Sequence, residues 1–255
     1  MQHRSEDPAV LQRALKVLWQ SYQAPLLKLL GGEPLLHPAI DKIISVAKSG
    51  TGARLRLVTN GTLLQRRYKM LQGVDEVHIS AYPGTLIPND EMLCRIAADL
   101  DAPITVEAFG QFRWHRSPMR TDSRITEQIF ATCQMYHSWQ CHTLRGGWLY
   151  PCPPAGTWGS DHSEAINLLE GTPELGQQIE RLLSRRTPLQ TCSECLGSVG
   201  HPFKHRLGWR SRHDQLQEQT VDAVFLQVLQ SDADANNQCF QYLRTICPTG
   251  HVQVH

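Results

Sequence analysis

Two glycines and one carboxylate end an apolar run near the start of the sequence, in the stretch LLKLLGGEPLLHP from Leu26 to Pro38. Glycine lets a backbone come close to a ligand because it carries no side chain. The carboxylate of Glu33 can accept hydrogen bonds from a cationic group such as an amine. Gly31, Gly32 and Glu33 are therefore candidate ligand-binding residues.

Cysteines form a second group of residues that could do chemistry. Two residues separate Cys192 from Cys195, so both thiols can reach one metal from a single turn. Cys141 and Cys152 flank a predicted hairpin with a Gly-Gly tip, which can bring them together from adjacent strands. Four thiolates suit either tetrahedral zinc or an iron–sulfur cluster, and their spacing does not choose between these metals.

Other side chains could complete or alter this site. Cys133 precedes Cys141 by eight residues and is either a fifth ligand or a helix residue that packs inward. Four histidines could replace a thiolate at zinc, although we expect each to be a surface or packing residue: His137, His142, His201 and His205.

Composition limits the functional classes. The 255 residues include 25 basic and 24 acidic side chains, a formal net charge of +1 that gives no support for nucleic-acid binding or a polybasic membrane anchor. No apolar run approaches the roughly 20 residues of a membrane span, and the polar start MQHRSEDPAV does not resemble a signal peptide. We therefore expect a soluble, cytoplasmic protein, in which thiols are poor candidates for a disulfide framework.

The elements that must position these residues alternate in the first half of the chain. We predict strands in LLKLL, RLRLV, EVHISAY and ITVEAF, with helices between them. This β-α repeat favours a parallel sheet with right-handed crossovers. Because ligands bind at the carboxyl edge of such sheets, three further strand-end residues become candidates: Asn60, Ser80 and Tyr82.

The combined motifs resemble those of the radical S-adenosylmethionine (radical SAM) enzymes. GGEP, TNG and HISAYP occur in order and are followed by Cys-x5-Gly-x4-Cys and Cys-x2-Cys-x-Gly, so the resemblance covers residues 26–197. More narrowly, the motifs resemble those of the SPASM or twitch-type branch, whose C-terminal extension carries an auxiliary 4Fe-4S cluster. The implied fold is α/β, a partial (β/α)6 TIM-like barrel without its first strand in residues 1–130. A small Cys-rich auxiliary-cluster module in 131–210 and a helical tail in 211–255 would follow.

The resemblance also implies residue roles. The family motif that holds the amino group of the methionine moiety of S-adenosylmethionine matches Gly31, Gly32 and Glu33. Strand ends that face cofactor or substrate in the family match Asn60, Ser80 and Tyr82. The auxiliary-cluster pattern matches Cys141, Cys152, Cys192 and Cys195. Cys133 satisfies a longer Cys-x13-Gly-x4-Cys spacing and could displace one of these four.

The sequence departs from the family at the catalytic cluster. Radical SAM enzymes hold that cluster on a Cys-x3-Cys-x2-Cys loop upstream of GGEP, but no cysteine precedes Leu26 and no later set has this spacing. We expect an N-terminally truncated enzyme, inactive by itself. The alternative is a degenerate homologue that serves as a non-catalytic scaffold for a 4Fe-4S cluster or zinc.

The resemblance implies a reaction for the complete enzyme. Reductive cleavage of S-adenosylmethionine would give a 5′-deoxyadenosyl radical that abstracts hydrogen from a peptide, a sugar or another small substrate. The electron would come from a reductant such as a ferredoxin or flavodoxin. The auxiliary cluster would ligate the substrate or relay an electron.

Overall fold

The structure, a computed structural model, describes residues 5–113, 115–117, 119, 122–158, 162–198, 200, 202–204 and 240–254. They form two compact units, one up to Gly110 together with the residues from Phe240 onward, and one between these limits. The division after Gly110 comes earlier than the boundary predicted after residue 130. Every helix within the described ranges is too short or too polar to cross a membrane.

The elements are numbered in chain order. The α-helices of the described residues are α1 (Pro8–Ser21), α2 (Ile40–Gly50), α3 (Leu64–Arg67), α4 (Asp90–Leu100), α5 (Ser123–Ala131), α6 (Gln134–His137), α7 (Pro153–Trp158) and α8 (Leu175–Leu183). The strands are β1 (Leu26–Leu29), β2 (Arg54–Thr59), β3 (Glu76–Ala81), β4 (Ile104–Phe109), β5 (Gln111–Arg113), β6 (Thr143–Arg145), β7 (Trp148–Tyr150), β8 (Ile166–Asn167), β9 (Pro202–Lys204), β10 (Phe240–Ile246) and β11 (Val252–Val254). Short 3₁₀ turns span Pro34–Leu36, Tyr68–Leu71 and Gln190–Glu194.

A mixed sheet organises the first unit, in the order β1-β2-β3-β4-β10-β11. β1 to β4 run parallel, as the β-α repeat predicts, whereas β10 is antiparallel to β4 and β11 is antiparallel to β10. This arrangement confirms the α/β class. The barrel is not confirmed, because the strand paired with the far side of β4 is antiparallel.

Side chains cap the N-termini of two helices of the first unit, α1 and α4. Asp7 accepts a hydrogen bond from the backbone N–H of Ala9, and Pro8 occupies the first position of α1. Asn89 caps α4 in the same way through the N–H of Met92. The helix expected between β2 and β3, in LLQRRYKMLQ, is short, because α3 gives way to a 3₁₀ turn after Arg67.

The end of the chain differs from the predicted helical tail. Residues 240–246 and 252–254 form strands, joined by a turn in which Gly250 has a φ of +83°. The sequence FQYLRTICPTGHVQV is rich in aromatic and β-branched residues on both sides of Pro-Thr-Gly, which is a strand-turn-strand pattern. The part of the predicted tail between residues 211 and 239 lies outside the described residues.

The second unit contains the predicted Gly-Gly hairpin. β6 and β7 pair antiparallel, and Gly146 and Gly147 adopt the positive φ values, +57° and +82°, that a two-residue hairpin loop requires. The segment from Ser123 to His137, whose sequence SRITEQIFATCQMYH has a continuous helical pattern, is split into two helices. α5 ends at Ala131, and Cys133 occupies the cap position before α6.

Candidate functional site

Open space borders the backbone where β1 ends. Gly31 and Gly32 follow this strand with φ values of +114° and +51°, which L side chains rarely adopt. A Cβ atom added to either glycine would meet no other heavy atom within 4 Å. These glycines therefore leave room for a ligand to approach the backbone, as their sequence pattern predicts.

Glu33 connects the ends of β1 and β2. Its Oε1 accepts hydrogen bonds from the backbone N–H of Leu35 at 3.0 Å and the hydroxyl of Thr59 at 2.6 Å. Its Oε2 accepts one from the backbone N–H of Asn60 at 2.8 Å. A carboxylate offers about four acceptor sites, so roughly one, on Oε2, is left for a ligand.

The Thr-Asn-Gly strand end supports this carboxylate. Thr59 is buried, and its hydroxyl both donates to Glu33 and accepts from the N–H of Gly61 at 3.1 Å. The side chain of Asn60 accepts from the N–H of Thr62 at 2.9 Å, so its oxygen folds back onto its own loop. Asn60 therefore reaches Glu33 through its backbone. The role of Thr59 was not predicted, although this residue belongs to the motif that marked the strand end.

Ser80 and Tyr82 lie at the end of β3 and interact with each other. Burial raises the pKa of Tyr82, a hydrogen bond from Ser80 opposes this effect, and the charges of Glu107 and Glu33 raise it further. The Tyr82 ring also lies 5.9 Å from that of Phe109, between centroids. The structure thus brings Tyr82 within electrostatic reach of Glu33, as expected for residues at one sheet edge.

A polar sheet face lies below this edge. Nε2 of His78 in β3 is 2.5 Å from Oε2 of Glu107 in β4, and both side chains are about one-fifth exposed. Arg56 in β2 contacts both carboxylate oxygens of Glu76 in β3, at 2.9 and 3.0 Å. Strands of a parallel sheet are normally apolar on both faces. These paired charged side chains are therefore candidates for lining a polar ligand site.

Sequence reasoning missed His78 and Glu107 as candidates. The signal was present, because polar residues alternate with apolar ones in RLRLV, EVHIS and ITVEAF. Alternation places the apolar members of each strand on the opposite face, where Leu57, Ile79 and Val106 are buried. The strand pattern therefore identifies the polar face before any contact is known.

In the second unit, four candidate cysteines line one cavity: Cys133, Cys152, Cys192 and Cys195. The remaining lining is mainly apolar and includes Ile129, Phe130, Tyr136 and Leu189. The fifth candidate, Cys141, is half-buried and does not line the cavity. No group of three or more His, Cys, Asp or Glu side chains within the described ranges is arranged to hold a single metal ion.

Burial keeps three of these thiols neutral. It raises the pKa of Cys152 to about 12 and also raises the pKa of Cys133 and Cys195, while backbone N–H groups oppose the shift. Ionisation of a neighbouring cysteine would raise each value further, Cys141 for Cys133 and Cys192 for both Cys152 and Cys195. Metal binding at this site therefore requires the release of protons, since thiolate is the form that binds metal.

The candidate histidines have other partners where the structure describes them. Nε2 of His137 is 2.8 Å from the carbonyl oxygen of Phe130, and Nδ1 of His142 is 3.1 Å from that of Pro151. Burial lowers the pKa of His142, and this hydrogen bond opposes the shift. Two further candidates lie outside the described residues: His201 and His205.

Comparison with known proteins gives one partial match. No family model matches the chain. Over 57 residues, 21% of this chain, it is 40% identical to the GTP 3′,8-cyclase of Chlorobaculum tepidum, and it covers 17% of that protein. That relative is a radical SAM enzyme, and the match supports a relationship to this superfamily. The match therefore spans less than one fifth of the length of that relative.

Proposed function

We propose that this chain is a radical SAM-type protein with two binding functions. The first unit binds S-adenosylmethionine at the strand edge, and the second binds an auxiliary 4Fe-4S cluster. The observation that carries the proposal is that cysteines from three separate parts of the second unit line one cavity. Thiols at such distant sequence positions have no structural need to converge, whereas an iron–sulfur cluster requires four.

The cluster ligands that the geometry favours differ from the first sequence match. Cys133 lines the cavity beside Cys152, whereas Cys141 does not. Cys133 also leads directly into α6 from a break between helices, which frees its side chain from a helix face. We therefore assign the four ligand positions as follows: Cys133, Cys152, Cys192 and Cys195.

The four sulfur donors fit a 4Fe-4S cluster, but the cavity must widen to admit it. Four sulfurs in mainly apolar surroundings match the usual environment of a 4Fe-4S cluster, which would supply electron relay or substrate ligation when bound. The cavity volume of about 20 Å³ corresponds to roughly one water. The cysteine-bearing turns must therefore move apart to admit the cluster.

The strand edge supports S-adenosylmethionine binding. Gly31 and Gly32 leave space for an amino-acid group, and the remaining acceptor site of Glu33 can receive its ammonium N–H. Asn60, Ser80 and Tyr82 would complete the edge toward the nucleoside or substrate. His78 and Glu107 would face the substrate, a peptide, sugar or other small molecule.

The catalytic cluster itself is not assigned to this sequence. No three of its cysteines have the Cys-x3-Cys-x2-Cys spacing. Radical formation, with an electron from a ferredoxin or flavodoxin, is therefore proposed only for a cytoplasmic protein that supplies this loop. The missing spacing also favours the alternative of a non-catalytic metal-binding scaffold, with a 4Fe-4S cluster or zinc. An in-frame Cys-x3-Cys-x2-Cys encoded upstream would favour the enzyme.

Matched cysteine variants test the proposal. We expect Cys133→Ser to lose most of the iron and sulfide retained after anaerobic reconstitution, because it removes one of four ligands. Cys141→Ser should retain both at the wild-type level, because it removes a neighbouring thiol outside the cavity. The reverse pattern would contradict the ligand assignment. Unchanged iron and sulfide in both variants would contradict the four-cysteine site.

A further inference from the structure

The carboxylate of Glu164 anchors the turn that carries two of the cavity cysteines. Its Oε1 accepts a hydrogen bond from the backbone N–H of Gln190 at 2.6 Å. Its Oε2 accepts from the N–H and the hydroxyl of Thr191, at 3.3 and 3.5 Å. Gln190 and Thr191 open the 3₁₀ turn that contains Cys192 and leads into Cys195. The position of both thiols therefore depends on a side chain that is distant in sequence.

The charge of Glu164 is less neutralised by arginine than the charge of Glu194. Glu194, in the same turn, is held by Arg116 through two nitrogen atoms, at 2.5 and 3.0 Å. Glu164 has one contact with Arg185, at 3.4 Å, and Arg185 also donates to the carbonyl oxygen of Pro188. Since the Glu164 side chain is only 15% exposed, solvent screens its charge weakly.

The effect of this charge reaches a cavity cysteine. The carboxylate of Glu164 accepts a hydrogen bond from the backbone N–H of Thr191, the residue next to Cys192, so this buried charge lies close to the cavity that Cys192 lines. The same field would disfavour any added negative charge at the cavity. Reduction of an iron–sulfur cluster adds one electron, and charge and hydrogen bonding around the cysteines set its potential.

We propose that Glu164 is a positioning residue of the cysteine site, which holds the Cys192–Cys195 turn in place and lowers the reduction potential of the bound 4Fe-4S cluster. This inference rests on the proposed cluster. A lower reduction potential would make the reduced cluster of the second unit a stronger reductant. Glu164 contacts the backbone of the turn and not the cluster, so it would act by holding the turn and by the field of its charge.

Three variants of the full chain separate charge from length. Glu164→Gln keeps the length and removes the charge, and Glu164→Asp keeps the charge on a shorter side chain. Glu180→Gln, on the exposed surface of α8, makes the same charge change away from the contacts described above and serves as control. Each protein is reconstituted anaerobically, assayed for iron and sulfide, and titrated with dithionite, which donates one electron per cluster, while the reduced cluster is followed by electron paramagnetic resonance.

We expect Glu164→Gln to raise the midpoint potential by about 59 mV, a tenfold change in the ratio of oxidised to reduced cluster. Glu164→Asp and Glu180→Gln should stay near the wild-type value. A normal potential in Glu164→Gln with a full cluster would overturn the inference. If Glu164→Gln assembles too little cluster to titrate, Glu164→Asp decides: a wild-type potential supports the role of the charge, and a raised one contradicts it.

Failure of the proposed function gives a different result. If the wild-type chain binds no iron and sulfide, the cluster assignment itself is wrong, whatever the variants do. If the wild type binds the cluster and Glu164→Gln does not, while circular dichroism shows unchanged secondary structure, the positioning role is supported. A loss of cluster in the Glu180→Gln control as well would contradict a specific role for Glu164.

Discussion

At the scale of the residue, Glu33 has a proposed role in ligand binding and a structural role at the strand edge. In the proposed site it binds the amino group of a ligand, yet in the structure it already accepts hydrogen bonds from Leu35, Thr59 and Asn60. A variant that removes the carboxylate would therefore disturb the strand edge as well as the binding of S-adenosylmethionine. Stability must be measured before any loss of affinity is interpreted.

We predict that Glu33→Gln lowers the free energy of unfolding by about 1–3 kcal/mol, because the amide NH2 group cannot accept hydrogen bonds. In one orientation the bond from Asn60 is lost, and in the other those from Leu35 and Thr59 are lost. Urea unfolding followed by circular dichroism measures this change. Glu91→Gln is the control, since Glu91 is 81% exposed and pairs with Arg95 one helical turn away. Equal stability of Glu33→Gln and wild type would show that Glu33 does not brace the strands.

The residues of the strand edge could be predicted better than their partners. Gly31, Gly32 and Glu33 stand out in the sequence because an apolar run ends there in two glycines and an acid. Spacing could not choose between Cys133 and Cys141, because both precede Gly147 at acceptable distances. The choice depends on the break between α5 and α6, which a continuous helical pattern conceals.

At the scale of the element, one acidic residue connects a helix to two strands. Asp75 precedes β3, and its carboxylate accepts hydrogen bonds from Nζ of Lys48 in α2, at 2.8 and 2.9 Å, and from the N–H of Leu55 in β2, at 2.6 Å. Burial alone would raise the pKa of Asp75, but these bonds and the charges of Lys48 and Arg54 lower it below 3.8. Asp75 therefore stabilises the fold in its ionised form.

The sign of the pH dependence follows from this shift. A carboxyl group whose pKa is lower in the folded state stabilises the protein above its unfolded pKa, and this stability is lost as the pH falls through the folded value. We predict that Asp75→Asn lowers the urea midpoint at pH 7, and that the difference from wild type is smaller at pH 3. Asp101→Asn is the control, at an exposed left-handed cap position that asparagine also tolerates. A difference that is equal at both pH values would contradict the ionised role of Asp75.

The parallel strands could be predicted from sequence, but the antiparallel ones were missed. Four strands at regular spacing, with helices between them, predict β1 to β4 from local pattern alone. β10 pairs with β4 across more than a hundred residues, and no local pattern indicates that pairing. The strand pattern of FQYLRTI was itself readable, but the polar residues before it led to the prediction of a helix.

The whole molecule divides its candidate chemistry between two units, which can be tested separately. The first unit has a ligand-binding edge and a polar sheet face, and the second has the cysteine cavity. Cluster binding by the second unit requires neither a known substrate nor the Cys-x3-Cys-x2-Cys loop. It is therefore the part of the proposed function that this chain can establish by itself.

The measurement that tests this central claim most directly is the iron, sulfide and zinc content of the full chain after anaerobic reconstitution, with its absorption spectrum. We predict about four iron and four sulfide per chain, as one 4Fe-4S cluster on four cysteines requires. About one zinc without sulfide would contradict the iron–sulfur assignment and favour a structural metal scaffold. Absence of all three would show that the cavity cysteines bind no metal and would contradict both proposals.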